Sequence, residues 1–306
     1  MTMRVANLMN NAQSLMDLQR IKQQYTETVQ QLTTGLANPN LGDNPASDAL
    51  VESYQSSINV NTQYVAQANT ANSALKASST ALTTMGTDIN SLLTLAQEGL
   101  ASGTTTTTQA GIASQVSALR TDMISLGNTQ VQGQYIFAGT KSTTVPFVDN
   151  TATTPPTTTY NGNGGIISLT LSPSVTVATN IPGDTLFYGP GGQGSATDLL
   201  AQTANLAQAL STNNTAGIQT AYDNLQAISS RVNVSVADLG ERENGVTALQ
   251  SGLTAYNQNL TAQESSVASV DYATAITQLN QESVAQQATL STIAKTNSKN
   301  LFDYIA

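Results

Sequence analysis

The positions of the prolines constrain the fold of this chain more than any other feature. All eight prolines of the 306 residues lie at positions 39, 45, 146, 155, 156, 173, 182 and 190, so residues 46–145 and 191–306 contain none. Proline removes a backbone donor and clashes with the preceding turn inside a helix, so long helices avoid it. Two proline-free stretches around a proline-bearing middle therefore predict helices on both sides of a small sheet.

Apolar residues in the first part of the chain recur at intervals of seven. One row holds Leu8, Leu15, Val29 and Leu36, with Lys22 as its one polar member, and a second row holds Leu18, Tyr25 and Leu32. Farther along, Ala68, Leu75, Leu82, Ile89 and Ala96 form one row, with Ala71, Met85 and Leu92 as its partner row. Rows with this spacing are typical of the a and d positions of a coiled coil.

The last part of the chain has the same kind of pattern. Val246, Leu253, Leu260 and Val267 form one row, and Leu249, Tyr256 and Val270 form the other. The register slips near Asp271, after which Ile276, Leu279, Leu290 and Ile293 continue an apolar seam. Such a slip changes the supercoil locally or indicates a domain border.

The middle of the chain has strand patterning instead. Ile167, Leu169 and Leu171 alternate with Ser168, Thr170 and Ser172, and Pro173 follows at a turn. Leu186–Tyr188 is a further possible strand, and the five threonines at 104–108 are a low-complexity link between helices. Asp43-Asn44-Pro45 is a helix-start signal, because a capping side chain precedes proline.

These patterns predict a mainly α fold, with long helical rods or coiled coils from both chain ends and a small inserted β domain. The expected parts are an N-terminal coiled-coil helix at 1–43 that pairs with a C-terminal helix at 272–306, a helical shaft from 44–134 and 196–271, and the β domain at 135–195.

The composition argues against catalysis and against nucleic-acid binding. The chain has no cysteine, histidine or tryptophan, so it lacks thiolate metal ligands and the commonest general base. Its ten basic residues are scattered and its formal net charge is −9, which provides no patch for phosphate neutralisation. The carboxylate pairs Glu241/Glu243 and Asp43/Asp48 lie on or beside predicted helices, where helix surface and N-caps explain them. We therefore expect a protein that is not an enzyme and has no cofactor or metal.

The glycine-rich run Gly189–Gly194 matches the spacing G-x-G-x-x-G and precedes a predicted helix from about Ser195. Dinucleotide-binding sites place this motif inside a βαβ unit with an acidic residue farther on, and neither feature is present. We interpret the run as the exit from the β domain.

The N-terminal residues do not form the apolar core of a secretory signal, since polar residues interrupt them every few positions. No stretch approaches the roughly 20 apolar residues of a membrane span. We expect no membrane association, and either a cytoplasmic protein or one exported without a cleavable apolar signal.

The seams at the two ends have few partners within the chain, so they favour self-assembly. Pairing the first helix with the last would still leave outer residues such as Met9, Met16, Ile21, Phe302 and Ile305 without partners. The predicted assembly interface on the terminal helices comprises Leu8, Leu15, Leu18, Val29, Leu32, Ile276, Leu279, Leu290, Ile293 and Leu301.

Short motifs at both ends resemble those of a known family. Met3-Arg4-Val5, Gln31–Gly35 and Asp43-Asn44-Pro45 are similar to the N-terminal region of bacterial flagellins and of the protein that joins hook to filament. Ser269–Ala273, Gln286-Gln287-Ala288 and Leu301–Ile305 resemble their shared C-terminal region, and Gly240–Asn244 resembles the turn ahead of it. The loop at 35–42 departs from the family in lacking basic residues.

Two further motifs favour the junction protein over filament flagellin. Gln134–Thr140 resembles the Tyr-Leu-Phe-Ala-Gly-Thr signature at which the FlgL family of hook-filament junction proteins (hook-associated protein type 3) enters its sheet domain. Tyr160-Asn161-Gly162 and Gly183–Phe187 resemble the rest of that domain. The alternative interpretation is that the chain is filament flagellin itself, or another self-assembling surface filament protein.

The resemblance implies a structural subunit of the flagellum, an adaptor layer between the first hook-associated protein and the flagellin filament. It implies export by the flagellar type III apparatus with its export chaperone, and a secreted protein located at the hook-filament junction. The expected partners are other copies of the chain in a tubular layer, the first hook-associated protein and flagellin.

Overall fold

The computed structural model describes residues 2–40 and 42–302, and the side chains of residues 9–40 and 42–295. This part of the chain forms six α-helices, which confirms the predicted mainly α fold. They are α1 (Thr2–Thr34), α2 (Pro45–Leu100), α3 (Thr106–Gly127), α4 (Leu199–Ser211), α5 (Thr215–Ala268) and α6 (Tyr272–Phe302).

The helix starts follow local capping chemistry. Helix α2 begins at Pro45, as predicted, and the Asn44 side chain accepts a hydrogen bond from the Ser47 backbone N–H at 3.3 Å. The threonine run is only partly a link, because α3 begins inside it. The Thr105 hydroxyl accepts from the Thr108 N–H at 3.2 Å and satisfies a backbone donor that the first helical turn leaves free.

The β region consists of three antiparallel pairs in the described residues. The strands are β1 (Gln130–Val131), β2 (Gln134–Tyr135), β3 (Phe147–Asn150), β4 (Thr157–Tyr160), β5 (Ser168–Ser172) and β6 (Val175–Ala178). Strand β1 pairs with β2, β3 with β4 and β5 with β6. The β5–β6 hairpin confirms the alternating pattern and the turn at Pro173, with Leu169 opposite Val177.

Two local predictions near the exit from the β region are wrong. Leu186–Tyr188 is not a strand but part of a π-helical turn, Asp184–Tyr188, and the last three side chains of this turn are all buried. The next helix begins at Leu199 and not near Ser195. The Asp198 carboxylate provides the cap by accepting from the Ala201 N–H at 3.1 Å, which the glycines before it cannot do.

The chain divides into two compact units. We call Met1–Val60 with Tyr256–Ala306 the terminal unit, and Asn61–Ala255 the central unit. Helices α2 and α5 each contribute residues to both units.

Heptad rows form the helical core of the central unit. Every member of the predicted rows from Ala68 to Ala96 on α2 is fully buried. On α5 an additional row is buried at the same spacing, consisting of Ile218, Leu225, Val232, Leu239 and Val246. The row predicted from the sequence on this helix begins only at Val246.

Aromatic side chains form the core of the β region. The rings of Phe147 and Phe187 have centroids 4.3 Å apart, and Phe137 meets Phe187 edge-on at 6.1 Å. Tyr160 and Tyr188 pack around the same Phe147 ring. Because Gly127 at the end of α3 would clash with both Phe147 and Phe187 if it carried a Cβ, this core continues directly onto α3.

Candidate assembly surface

The terminal unit is built on an antiparallel pair of helices, α1 and α6, which confirms that helices from the two chain ends pack against each other. Backbone hydrogen bonds join the segments beside them: the Val270 N–H donates to the Gly35 carbonyl at 3.0 Å, and the Ala37 N–H donates to the Ala268 carbonyl at 2.8 Å. Gly35 has a φ of +74°, which favours glycine, and it ends α1. These bonds fix which parts of α1 and α6 face each other.

The contact between the two helices follows a stripe of alternating three- and four-residue steps. The inward residues of α1 are Ser14, Leu18, Ile21, Tyr25, Thr28 and Leu32, and those of α6 are Ala275, Leu279, Glu282, Gln286, Thr289 and Ile293; all are at least partly buried. Of the two rows predicted on α1, the row of Leu18 and Leu32 therefore faces α6. The row of Leu15 and Val29 does not.

A polar cluster lies in the middle of this seam. The Thr28 hydroxyl donates to Glu282 Oε1 at 3.2 Å across the helix pair, and Gln278 Nε2 donates to the same oxygen at 3.0 Å. Thr28 is 2% exposed and Glu282 9%, and the second carboxylate oxygen of Glu282 has no hydrogen-bond partner. Burying an incompletely satisfied carboxylate opposes folding, so this seam is less stable than an apolar seam of the same length.

The residues predicted for the assembly interface divide into two groups. Leu18, Leu32, Leu279 and Ile293 are partly buried in the α1–α6 seam. Leu15, Val29, Ile276 and Leu290 are exposed, with 51% of Leu15 and 49% of Leu290 accessible. The side chains of Leu8 and Leu301 lie outside the described residues.

Other apolar side chains join the exposed group. Met9 and Met16 on α1 are 68% and 56% exposed, and Ile21 lies in the seam. Phe302 and Ile305, also predicted to need partners, lie outside the residues whose side chains are described. Exposed apolar surface of this extent on two paired helices is typical of a protein–protein contact.

The motif at Gln134–Thr140 has a structural explanation in the central unit. Phe137 and Ala138 are fully buried, and the Phe137 carbonyl accepts from the Gly183 N–H and from the Tyr160 hydroxyl, both at 2.8 Å. Burial raises the pKa of Tyr160 to about 12, so its hydroxyl stays protonated and able to donate at neutral pH. The three separated motifs of the β region therefore meet at one carbonyl.

Gly139 lies at a point of the fold where no side chain fits. Its φ of +66° lies in the left-handed region, and a Cβ at this position would stand 2.0 Å from the Asn163 carbonyl oxygen. Asn163 also accepts from the Thr140 N–H at 2.8 Å through its side chain. Any larger residue at 139 would break the link between the motif and the loop before β5.

Two arginines of the central unit, the buried Arg120 and the partly buried Arg231, have structural roles that the sequence did not predict. Arg120 on α3 forms a two-pronged ion pair with Asp149 on β3, at 2.6 and 2.9 Å, and also donates to the Thr158 hydroxyl at 2.6 Å. Arg231 on α5 donates to the carbonyls of Leu186 and Thr197. The signal for Arg120 was its place between Val116 and Met123, at the helical spacing of buried positions.

Backbone N–H groups of the glycine-rich run donate hydrogen bonds to side chains just after it in the chain. The Gly191 N–H donates to the Thr197 hydroxyl at 3.0 Å, and the Gly194 N–H donates to the Asp198 carboxylate at 2.7 Å. A phosphate at the start of α4 would meet the Asp198 carboxylate, so the run connects the β region to α4 and is not a nucleotide site. Among the described residues there is no cluster of three potential metal ligands, and none of the helices is long and apolar enough to cross a membrane.

Two family models match separate parts of the chain. The model of the bacterial flagellin N-terminal helical region matches residues 5–142, and the model of the bacterial flagellin C-terminal helical region matches residues 222–305. Together the two models cover well over half of the chain, in the order expected.

The chain belongs to the flagellin family. Several solved structures that resemble this flagellin-family protein are described as hook-associated proteins or as FlgL. A putative flagellar hook-associated protein from Vibrio parahaemolyticus superposes with a TM-score of 0.67 at 17% identity, over 74% of this chain and 100% of that chain.

Two further structures have the same fold. FlgL from Xanthomonas campestris has a TM-score of 0.60 at 18% identity, over 69% of this chain and 99% of that one. Flagellar hook-associated protein-3 from Legionella pneumophila has a TM-score of 0.60 at 14% identity, over 70% of this chain and 97% of that one. No curated protein sequence matches the chain.

Proposed function

We propose that this flagellin-family protein is the hook-filament junction subunit of a bacterial flagellum, an adaptor layer between the first hook-associated protein and the flagellin filament. The observation that carries the proposal is the fold. Structures of hook-associated proteins, FlgL among them, superpose over nearly their whole length, although identity is below 20%. The family models support membership of the flagellum, and the superposition favours the junction subunit within it.

The terminal unit supports a role in assembly. Its inward seam contains a buried polar cluster, and its exposed helix faces carry leucine, isoleucine and methionine. Because burying apolar surface is the main driving force for association, these faces gain stability when other subunits cover them. The task of the junction is mechanical, namely to hold two protein lattices of different stiffness together.

The proposal includes specific partners. Other copies of the chain form the layer, the first hook-associated protein lies on the hook side and flagellin on the filament side. Export through the flagellar type III apparatus, with an export chaperone, brings the subunit to an extracellular position at the tip of the hook. The resemblance of the N-terminal and C-terminal motifs to those of the family supports this set.

Among the described residues, the arginines and the glycine-rich run of the central unit have structural roles. The buried Arg120 and the partly buried Arg231 hold backbone carbonyls and a carboxylate of the chain itself. The glycine-rich run donates backbone hydrogen bonds to Thr197 and Asp198, which follow it in the chain. These groups stabilise the fold, which agrees with a family of structural proteins.

The second candidate is filament flagellin, because the two family models are those of flagellin. A deletion strain separates the two functions under the electron microscope. Loss of a junction subunit leaves hooks without filaments while flagellin is secreted into the medium, and the wild-type gene restores attached filaments. A deletion strain that has no secreted flagellin, or filaments built from this chain, would contradict the junction proposal.

A further inference from the structure

Helix α1 has two rows of side chains that flank its Leu18–Leu32 row, one on each side. The row that the structure turns toward α6 is called the inner row here and consists of Ser14, Ile21 and Thr28. The row on the opposite flank is called the outer row and consists of Leu15, Lys22 and Val29. Because neighbouring residues differ by about 100° around a helix, a rotation of α1 by about 50° about its own axis would exchange the two rows.

Apolar area alone does not explain why the inner row faces α6. Leu15 and Val29 of the outer row carry more apolar surface than the hydroxyl residues at the matching positions of the inner row, so burial of apolar area favours the outer row at both positions. Lys22 opposes its burial, because an ammonium group is costly to remove from water. In the structure Lys22 is exposed and lines a surface depression together with Asp43. These opposing effects leave room for a further contact to decide the rotation of α1.

The contact between Glu282 of α6 and the inner row depends on this rotation. Glu282 Oε1 accepts from the Thr28 hydroxyl at 3.2 Å, whereas its other donor, Gln278, lies on α6 itself and stays in place however α1 is turned. With the outer row inward, Thr28 would leave the seam and Val29, whose side chain has no donor, would take its side of the helix. The carboxylate would then lose its only cross-helix donor among the described residues.

The loss of this donor is costly because the carboxylate is already poorly satisfied. Glu282 is 9% exposed, and its Oε2 has no hydrogen-bond partner among the described residues. A buried charged group that loses a partner bears the full cost of its removal from water. The hydrogen bond from Thr28 therefore favours the rotation that buries the inner row, against the larger apolar surface of Leu15 and Val29.

We infer that Glu282 is a positioning residue, which acts through Thr28 to hold α1 in the rotation that keeps Leu15 and Val29 on the outside of the helix pair. Polar residues at core positions of coiled coils have the same kind of role, since they select one arrangement at a cost in stability. In this rotation the apolar outer-row residues stay available to other subunits. That consequence, unlike the positioning role itself, rests on the proposed function.

The test uses the isolated full-length chain with Lys22→Leu as its background. This substitution removes the charge that opposes burial of the outer row, so that Glu282 holds the inner row inward without that help. We expect Lys22→Leu alone to keep the natural rotation, and the addition of Glu282→Leu to turn the outer row inward. Two control variants in the same background should keep the natural rotation: Gln281→Leu, at an exposed neighbouring position, and Glu282→Gln, which retains an oxygen that accepts from Thr28.

Thiol labelling measures the rotation, because the chain has no cysteine of its own. Leu15→Cys places an outer reporter at a position that is 51% exposed, and Ile21→Cys, in a separate protein, places an inner reporter at a partly buried position. In the Lys22→Leu background the outer reporter should react several-fold faster with a maleimide than the inner one. Addition of Glu282→Leu should reverse this order, since rotation buries one reporter and exposes the other. A helix pair that merely loosens would speed up both reactions.

Several results overturn the positioning role. They are an unchanged order after Glu282→Leu, faster labelling of both reporters, a reversed or equal order in the Lys22→Leu background itself, and a reversal caused by either control variant. Filament counts in a deletion strain test the consequence separately. A reporter-free chain with Lys22→Leu and Glu282→Leu should be secreted without attached filaments, and normal filaments on it would overturn the link to assembly. Failure of the wild-type gene to restore filaments would contradict the proposed function and leave the labelling result unaffected.

Discussion

Apolar residues recur with the same heptad spacing in the central unit and in the terminal unit, but the two units differ in how far these residues are buried. In the central unit the rows from Ala68 to Ala96 are fully buried, and an aromatic cluster around Phe147 completes the core. In the terminal unit the row of Leu15 and Val29 is exposed, and the seam between α1 and α6 holds the polar pair of Thr28 and Glu282.

The difference lies in how many partners each unit has inside the chain. Residues of the central unit pack against several helices and the β region, so one molecule completes their burial. The terminal unit is built mainly on one pair of helices. In a pair, only the stripe of each helix that faces the other is buried, so the remaining faces stay exposed. One molecule therefore completes the core of the central unit, and we propose that assembly with other subunits completes the burial of the terminal unit.

The largest effect is expected at the exposed face of α6. Leu290→Asp should abolish filament attachment, because a carboxylate buried without a partner costs several kcal/mol and a repeating layer imposes that cost in every subunit. Leu290 is 49% exposed in the single molecule, so the variant should still fold and be secreted. Microscopy of attached filaments, with an immunoblot of the secreted protein, measures both results.

The control for this variant lies in the central unit. Thr170 is an exposed residue of β5, and Thr170→Asp should leave both secretion and filament number unchanged. Normal filaments on the Leu290→Asp strain would show that this face of α6 stays open to solvent in the flagellum.

The second effect concerns the stability of the isolated chain. Phe187→Ala should lower the free energy of unfolding of the central unit by about 3–5 kcal/mol, the usual cost of removing a buried phenylalanine. Leu290→Ala should lower the stability of the isolated chain by less than about 1 kcal/mol, since half of this side chain is already in water. Denaturant unfolding of the purified variants compares the two, and equal losses would contradict the distinction between a finished and an unfinished unit.

The third effect compares two ion pairs. Arg120→Met leaves Asp149 without its charged partner in a largely buried site, and we expect a loss of about 3 kcal/mol. Arg20→Met removes an exposed pair and should change the stability of the isolated chain by less than about 0.5 kcal/mol. Thermal unfolding of both proteins gives the values, and a mild Arg120→Met variant would mean that water replaces the guanidinium.

The smallest effect is expected in the polar seam. Glu282→Leu should slow hydrogen exchange of α6 amides in the isolated chain by roughly fivefold, because an apolar residue often stabilises a site in which a buried charge is poorly satisfied. Gln281→Leu, at the exposed neighbouring position, is the matched control and should leave exchange unchanged. Faster exchange in Glu282→Leu would show that the hydrogen bond from Thr28 outweighs the cost of burying the carboxylate.

The apolar periodicity predicted the central helices correctly because the residues that recur every seven positions are the ones that are buried in the core. Leu75, Leu82 and Ile89 recur every seven residues, and each has a partner helix within the unit. The same argument failed for the turn at Leu186–Tyr188, where a continuous apolar run does not distinguish a strand from a buried helical turn.

The sequence by itself determined the long helices, the proline-bearing β region between them and the family motifs at both ends. Proline exclusion, capping side chains and heptad spacing are local properties, so they can be read from neighbouring residues. Only the tertiary structure decided which row of α1 faces α6, because rows at Leu15 and Leu18 have equal periodicity and differ only in what lies opposite. It alone also paired Arg120 with Asp149 and gathered Phe137, Tyr160 and Gly183 at one carbonyl, since these contacts join residues far apart in the chain.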